Sequence, residues 1–154
     1  MILYTLHNNG YIDFSEKVKL FPKEKFNMYV NFTNRCNCNC TFCLRHLKND
    51  HKLWLKDGEP SLEEIKQAFL NAPMENVADI VICGFGEPTM RLDDLVKLLT
   101  FLQQTYPSIK VRMNTNGLSD LEYGKKTAML FKGLLNTISI SLNESTSEKY
   151  LKVT

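Results

Sequence analysis

The chain of 154 residues lacks the run of about 20 apolar residues that a membrane-spanning helix needs. Its start lacks a basic segment followed by an apolar one, so no secretory signal is predicted. Seven glycines and five prolines are too few for a collagen-like or disordered chain. Charge of one sign is lacking too, because 19 basic and 17 acidic residues are spread along the chain. We therefore expect one globular domain with neither a nucleic-acid surface nor a membrane surface.

Cysteine, by contrast, is concentrated in one place. Four of the five cysteines, Cys36, Cys38, Cys40 and Cys43, fall within eight residues, and Cys83 stands alone. A disulfide framework would spread its cysteines to close loops, and an odd total leaves one unpaired. The cluster instead predicts a metal or iron–sulfur site in a reducing compartment, and we expect the protein to be cytoplasmic.

Short β-rich runs alternate with amphipathic helical runs, which predicts βαβ units around a parallel sheet. The main strands are predicted at residues 28–33, 78–83, 109–114 and 137–142. Before them we expect a hairpin that turns at Asn9-Gly10, followed by a charged connector. This pattern divides the chain into an N-terminal segment, residues 1–27, and a core, residues 28–154.

Three helices are predicted between these strands. A capping box of Ser61 and Glu64 begins the first, and Leu92 and its apolar neighbours form the core side of the second. Ser119 and Glu122 form another capping box at the start of the third helix, which we expect to end at Gly133.

Polar or glycine-rich segments follow all four predicted strands. Right-handed connections make such strands parallel, so their carboxyl ends meet at one edge of the sheet. The segments are residues 34–43, 84–88, 114–117 and 141–143. Their convergence predicts a functional site at that edge.

The spacing of Cys36, Cys40 and Cys43 is C-x3-C-x2-C. Thiolates are soft ligands that suit iron–sulfur clusters or zinc. A closed structural zinc site usually takes four ligands, and no second cysteine pair is present. Three thiolates on a four-iron cluster leave one iron open to a substrate or cofactor. A zinc site remains an alternative, and Cys38 is either a bystander or a fourth ligand.

These residues resemble the radical S-adenosylmethionine (SAM) superfamily. The resemblance rests on the segment Cys36–Cys43, in which the aromatic Phe42 precedes the last cysteine, and it extends through three later segments in the family's order. These are Gly84-Phe85-Gly86-Glu87-Pro88, residues 114–117 and residues 139–143. The sequence around the cysteines is similar to the small TatD-linked radical SAM proteins.

The resemblance implies a partial (β/α) barrel with a [4Fe–4S] cluster on Cys36, Cys40 and Cys43. It also implies that SAM binds the open iron and that an external one-electron reductant triggers a 5′-deoxyadenosyl radical, which modifies a substrate that the sequence does not identify. The cofactors carry this chemistry, while the protein binds and orients them. No residue is predicted to be catalytic in its own right.

Further cofactor-binding positions follow from the same resemblance. Gly86 would let the backbone approach the methionyl amine of SAM, with Gly84, Glu87 and Pro88 shaping that turn. Phe42 would border the adenine. Polar contacts with the methionyl or ribose groups are implied for Asn114, Asn116, Ser141 and Asn143.

The chain has four of the six βα units that radical SAM cores commonly have. We therefore expect a fragment, a minimal version, or a chain that completes its sheet through a partner, with self-association through the exposed edge of the fourth main strand. Two other functions compete with the enzyme. A zinc module would bind without SAM, and an electron-transfer iron–sulfur protein would use Cys38 as its fourth ligand.

Overall fold

The fold is a six-stranded mixed sheet, seen in a computed structural model that describes residues 2–47 and 52–154. The strands are β1 (Leu3–His7), β2 (Gly10–Asp13), β3 (Phe26–Val30), β4 (Val77–Ile82), β5 (Lys110–Thr115) and β6 (Thr137–Ile140). Their order across the sheet is β2-β1-β3-β4-β5-β6. The strands from β3 to β6 pair in parallel, and the sheet does not close into a barrel. The predicted partial α/β fold and its four parallel strands are therefore confirmed, with boundaries shifted by up to three residues.

Five α-helices are present in the described residues: α1 (Phe14–Leu20), α2 (Leu62–Leu70), α3 (Leu92–Thr105), α4 (Ser119–Tyr123) and α5 (Ser147–Val153). The capping box that begins α2 is formed as predicted, because Ser61 and Glu64 bond reciprocally to each other's backbone N–H. On α2 and α3, Ile65, Phe69 and Leu99 are fully buried, and they pack in one cluster with strand residues such as Ile80. One side of the sheet is thus covered by these two helices. We call the opposite side the inner face.

The N-terminal segment differs from its prediction in two ways. The hairpin turns at Asn8 and Asn9, with φ of 47° and 60°, and Gly10 already pairs with His7. Asparagine tolerates this left-handed conformation better than most residues, so a turn of two asparagines is favourable. The predicted connector contains α1, whose start is capped by the Asp13 carboxylate.

The N-terminal hairpin is continuous with the core sheet. Strand β1 pairs with β3 in antiparallel fashion, which extends the sheet by two strands. The division between residues 27 and 28 stays a prediction. It falls within β3, and the described strands before and after β3 share one sheet.

The prediction of the third helix, from a capping box at Ser119 to Gly133, is wrong in the length of the helix and in its cap. Helix α4 begins after Leu118 without a side-chain cap and ends at Gly124, which has φ of 60°. The Ser119 hydroxyl does not cap the helix, because it bonds to the buried hydroxyl of Thr127. The chain then continues through a short 3-10 helix, Ala128–Phe131, before β6.

Strand β6 lies at the edge of the sheet beyond β5, and all four of its residues are exposed. An exposed strand edge offers unpaired backbone groups to a neighbour. Self-association through this edge stays a prediction.

Candidate functional site

The cysteine loop, residues 34–43, follows β3 at the carboxyl edge of the sheet. Its four thiols are partly buried, and none forms a disulfide. Burial raises the pKa of the Cys40 thiol, and the neighbouring thiols of Cys36 and Cys43 raise it further. The three sequence-predicted ligands are thus close enough to act on one another electrostatically.

This set of donors fits an iron–sulfur cluster. In the part of the chain that the structure describes, no three His, Cys, Asp or Glu side chains are gathered around a position for a single metal ion. Each thiolate of a four-iron cluster binds a different iron atom, so three neighbouring thiols need not converge on one point. Soft thiol donors without a nearby carboxylate ligand suit iron–sulfur chemistry.

Cys38 has contacts of its own. Its backbone N–H lies 3.5 Å from Cys36 Sγ, and its own Sγ accepts a hydrogen bond from Asn116 Nδ2 at 3.4 Å. Burial raises the pKa of the Cys38 thiol to about 11, with further contributions from Cys36 and Cys40. The Asn116 amide thus already engages this sulfur.

The glycine-rich turn after β4 is bonded directly to the start of the cysteine loop. Gly86 N–H donates to the Thr33 carbonyl at 2.9 Å, and Glu87 N–H donates to the Arg35 carbonyl at 2.8 Å. A Cβ atom on Gly86 would lie well under 3.0 Å from both carbonyl oxygens. Glycine is therefore required here because the cysteine loop itself approaches this α-carbon. This packing is a structural reason for Gly86 that the sequence did not reveal.

Glu87 joins the segment after β4 to the end of β5 through a buried carboxylate. Its Oε1 accepts from the Thr89 N–H at 3.1 Å and from the hydroxyls of Thr89 and Thr115 at 2.8 and 2.7 Å. Its Oε2 accepts from the Asn116 N–H at 2.7 Å. The side chain is only 4% exposed, so these four hydrogen bonds replace its hydration. Glu87 thereby fixes the ends of β4 and β5 relative to each other.

A second carboxylate, Glu59, holds the start of the cysteine loop from the other side. Its Oε1 accepts from the hydroxyl of Thr33 and from the Asn34 and Arg35 N–H groups, and its Oε2 pairs with Arg35 Nε at 3.2 Å. Burial opposes ionisation of Glu59, but the Thr33 hydrogen bond and the Arg35 charge outweigh it and lower the pKa. Sequence reasoning missed this residue because no motif marks it.

The other two residues of the turn have structural contacts as well. Gly84 lies against Asn31, whose Oδ1 would be 2.5 Å from an added Cβ. Pro88 is buried at the start of a 3-10 helix, Pro88–Arg91, where its missing N–H costs nothing.

The two predicted asparagines of β5 are placed differently. Asn114 lies within the strand on the inner face, where its side chain bonds to the Cys83 thiol. Asn116 lies just beyond the strand and reaches the cysteine loop, where its Nδ2 donates to Asn37 Oδ1 at 2.7 Å. The structure therefore brings Asn116, rather than Asn114, to the thiols of the cysteine loop.

Ser141 and Asn143 are the last two of the predicted cofactor-binding residues. Ser141 is exposed, and its N–H donates to the Thr115 carbonyl at 2.9 Å. The Asn143 side chain bonds to the hydroxyl of Tyr150 on α5, and this tyrosine is within electrostatic range of Cys38 and Cys40. The end of α5 touches the cysteine loop directly, because Thr41 N–H donates to the Val153 carbonyl at 2.9 Å.

One exposed ring and two further contacts complete the loop. The Phe42 ring is 62% exposed at its outer surface. Arg45 Nη1 donates to the Cys38 carbonyl at 3.1 Å, and His46 Nε2 lies 3.0 Å from the Cys40 carbonyl. Arg45, His46 and α5 carry no sequence signal that would have marked them, since their roles arise only from the path of the loop.

The chain is thus an α/β protein whose cysteine loop, with thiols in C-x3-C-x2-C spacing, is hydrogen-bonded to a glycine-rich turn at the carboxyl edge of a parallel sheet. Residues 30–154 match the radical SAM superfamily, and the chain belongs to it. Within that superfamily, the similarity to the TatD-linked proteins stays a prediction.

Several curated proteins are similar to the chain. It is 29% identical over 139 residues to the GTP 3′,8-cyclase of Paenarthrobacter nicotinovorans, which covers 89% of this chain and 37% of that protein. It is 33% identical over 128 residues to the 7,8-dihydro-6-hydroxymethylpterin dimethyltransferase of Methanocaldococcus jannaschii, covering 79% and 23%. The probable GTP 3′,8-cyclase of Thermococcus kodakarensis is 29% identical over 135 residues, covering 87% and 40%. The chain thus spans less than half the length of each of these relatives.

None of the helices in the described ranges is long and apolar enough to cross a lipid bilayer.

Proposed function

We propose that the chain is a radical SAM enzyme that holds a [4Fe–4S] cluster on Cys36, Cys40 and Cys43. One observation carries the proposal. The loop with these thiols is hydrogen-bonded through Thr33 and Arg35 to the Gly84–Pro88 turn, so the two segments form one unit. Superfamily membership supports the same cofactors.

When bound, the reduced cluster with SAM supplies the one-electron cleavage of a sulfonium carbon–sulfur bond, which starts hydrogen abstraction from a substrate. The chain's own residues bind and orient. Glu59 and Glu87 hold the two segments in place before any cofactor arrives, which reduces the ordering cost of binding. Asn116, Ser141 and Asn143 offer polar groups at the same edge for the methionyl and ribose parts of SAM.

Two further roles are proposed near the cysteines, for Phe42 and for Cys38. The exposed Phe42 ring is free to border an adenine, since nothing in the described residues covers most of its surface. We assign Cys38 to a bystander role, because it lies outside the C-x3-C-x2-C spacing of the three proposed ligands. An external one-electron reductant completes the reaction, and we expect it in the cytoplasm.

The proposal is tested by anaerobic reconstitution with iron, sulfide and reductant, followed by assay for 5′-deoxyadenosine after addition of SAM. We expect a brown protein that forms this product. Replacing Cys36, Cys40 or Cys43 by alanine should abolish both the colour and the product. Cys83→Ala and Cys38→Ala are the matched controls and should keep the visible spectrum.

Two results would contradict the proposal. A colourless protein that retains one tightly bound zinc would indicate a zinc module. Loss of the cluster in Cys38→Ala would indicate four protein ligands and an electron-transfer role.

A further inference from the structure

The inner face of the sheet carries an arginine whose charge has no counter-ion in the described residues. Val111 and Met113 of β5 face the helices in the main core, so Arg112 between them lies on the inner face. Val81 of β4 and Thr137 of β6 are its register neighbours. Arg112 is therefore held on a strand that is paired on both sides, next to the edge strand β6.

Arg112 differs from every other arginine of the chain. The other three donate to a neighbour's oxygen: Arg35 to Glu59 at 3.2 Å, Arg91 to Asp94 at 2.7 Å, and Arg45 to the Cys38 carbonyl at 3.1 Å. Within residues 2–47 and 52–154, Arg112 forms no ion pair, and its Nε is buried without a hydrogen-bond acceptor. The Nε of Arg45 is buried without an acceptor too, but Arg45 still donates through its Nη1. An Nε–H group that has lost hydration without gaining an acceptor is costly, and an oxyanion bonded to it would offset that cost.

The neighbours of Arg112 on the inner face leave its charge uncompensated. The Cys83 thiol is close enough to interact electrostatically with Arg112, and it lies 3.6 Å from the Tyr4 hydroxyl. The Asn114 amide bonds to the same thiol. The carboxylate of Asp79 lies on this face at the register position of Lys110, and it forms no ion pair with Arg112.

The two halves of the inner face complement each other. Over β1, β3 and β4 it is covered by an apolar cluster, in which Leu53 and Phe85 pack against tyrosines such as Tyr4. Over β5 and β6 it is open, with exposed Thr137 and Ser139 beside Arg112. A ligand on the open half would have an apolar wall on one side and a fixed cation beneath it.

The distance to the cysteine loop suits a substrate anchor. Asn116, which touches Cys38, lies four residues along the chain from Arg112. At about 3.3 Å per strand residue, their α-carbons are ~13 Å apart. A molecule held at Arg112 by one end would extend its other end toward the thiols.

We propose that Arg112 binds an oxyanion, a carboxylate or phosphate group of the substrate, on the open half of the inner face. That the anion belongs to a substrate rests on the proposed function. The anion site itself does not require a cluster. The planar guanidinium fork matches the two oxygens of either group, which a lysine would not do equally well.

The test is NMR of the apo chain, following the Nε–Hε resonances of the arginines during titration with inorganic phosphate and, separately, with sodium acetate. Sodium chloride at matched ionic strength is the control salt, and Arg35, already paired with Glu59, is the internal reference. We expect a saturable shift of the Arg112 signal that is several times larger than that of Arg35. The stronger of the two titrations identifies the preferred group.

Variants separate anion binding from general charge effects. Arg112→Gln should remove the saturable binding, and Arg112→Lys should weaken it about tenfold, since the charge stays and the paired hydrogen bonds are lost. Arg35→Gln should leave it unchanged. The thermal unfolding midpoint of each variant shows whether the fold is intact.

Equal shifts of Arg112 and Arg35, or an equal response to chloride, would overturn the inference. A chain that binds phosphate at Arg112 yet assembles no cluster would refute the proposed function and leave the anion site standing. A chain that assembles the cluster yet shows no saturable shift of the Arg112 signal would refute the anion site and leave the proposed function standing.

Discussion

The cysteine loop has two parts that are held in opposite ways. Its base, residues 34 and 35 together with the preceding Thr33, is fixed by backbone hydrogen bonds from Gly86 and Glu87 and by the Glu59 carboxylate. Its crown, residues 36–43, is exposed or half-buried and is held by a few contacts, from Asn116, Arg45, His46 and the end of α5. The fold thus fixes the entry to the loop and leaves the ligand-bearing part accessible. Buried, multiply bonded groups cost more to disturb than exposed ones, so substitutions in the base should have larger effects on stability.

Gly86→Ala should have the largest effect. The added methyl group would clash with the carbonyl oxygens of Thr33 and Arg35, and neither backbone can move without breaking a hydrogen bond. We expect the free energy of unfolding to fall by about 3 kcal/mol, measured by urea denaturation. Gly10→Ala is the matched control, since its Cβ would have an ordinary 3.6 Å contact and should cost less than about 1 kcal/mol. Equal losses in the two variants would contradict close packing of the base.

Glu87→Gln should have the next largest effect. Both oxygens of Glu87 accept hydrogen bonds, so an amide NH2 in place of either one would set donor against donor in a buried position. The expected loss is about 2 kcal/mol by the same measurement. Glu63→Gln, on the exposed surface of α2, should change stability by less than about 0.5 kcal/mol. A neutral result for Glu87→Gln would show that this carboxylate does not lock the strand ends.

Glu59→Gln should have a smaller effect that depends on pH. The pKa of Glu59 is lower in the folded chain than in the unfolded chain, so its charged form stabilises the fold above the unfolded value of about 4.3. We expect the free energy of unfolding of the wild type to exceed that of the variant by up to about 1 kcal/mol at pH 7. The difference should shrink as the pH falls through the folded pKa. Urea denaturation of both proteins from pH 7 downward measures it, and a difference that is constant with pH would indicate packing rather than charge.

Asn116→Ala tests the crown and should have the smallest effect on stability. Its side chain contacts Asn37 and Cys38 at the partly exposed surface of the loop, so the expected loss is about 0.5 kcal/mol. The Cys38 thiol should also react more slowly with a maleimide in the apo chain, because the hydrogen bond from Asn116 lowers the pKa of this thiol and its loss leaves less of the reactive thiolate. A stability loss as large as that of Glu87→Gln would remove the contrast between crown and base.

The sequence predicted the parts of the site that depend on local chemistry. The thiol spacing, the capping box at Ser61 and the polar segments at strand ends are all local patterns, and the parallel strands followed from their order. The prediction of a capped helix at Ser119 was wrong, because the serine hydroxyl bonds to the hydroxyl of Thr127, eight residues away. Helix α1 was missed because its charged residues indicated a solvated connector, whereas the buried Phe14 anchors it to the core.

By itself, the sequence determined the superfamily, the candidate iron ligands and the edge of the sheet where they lie, because spacing and alternation are properties of the chain. Only the tertiary structure decided that Gly86 makes room for the cysteine loop, that Glu59 holds its base and that Arg112 has no counter-ion among the described residues. These facts depend on which groups distant in the sequence become neighbours and on which charges lose their water, and neither can be read from a linear order of residues.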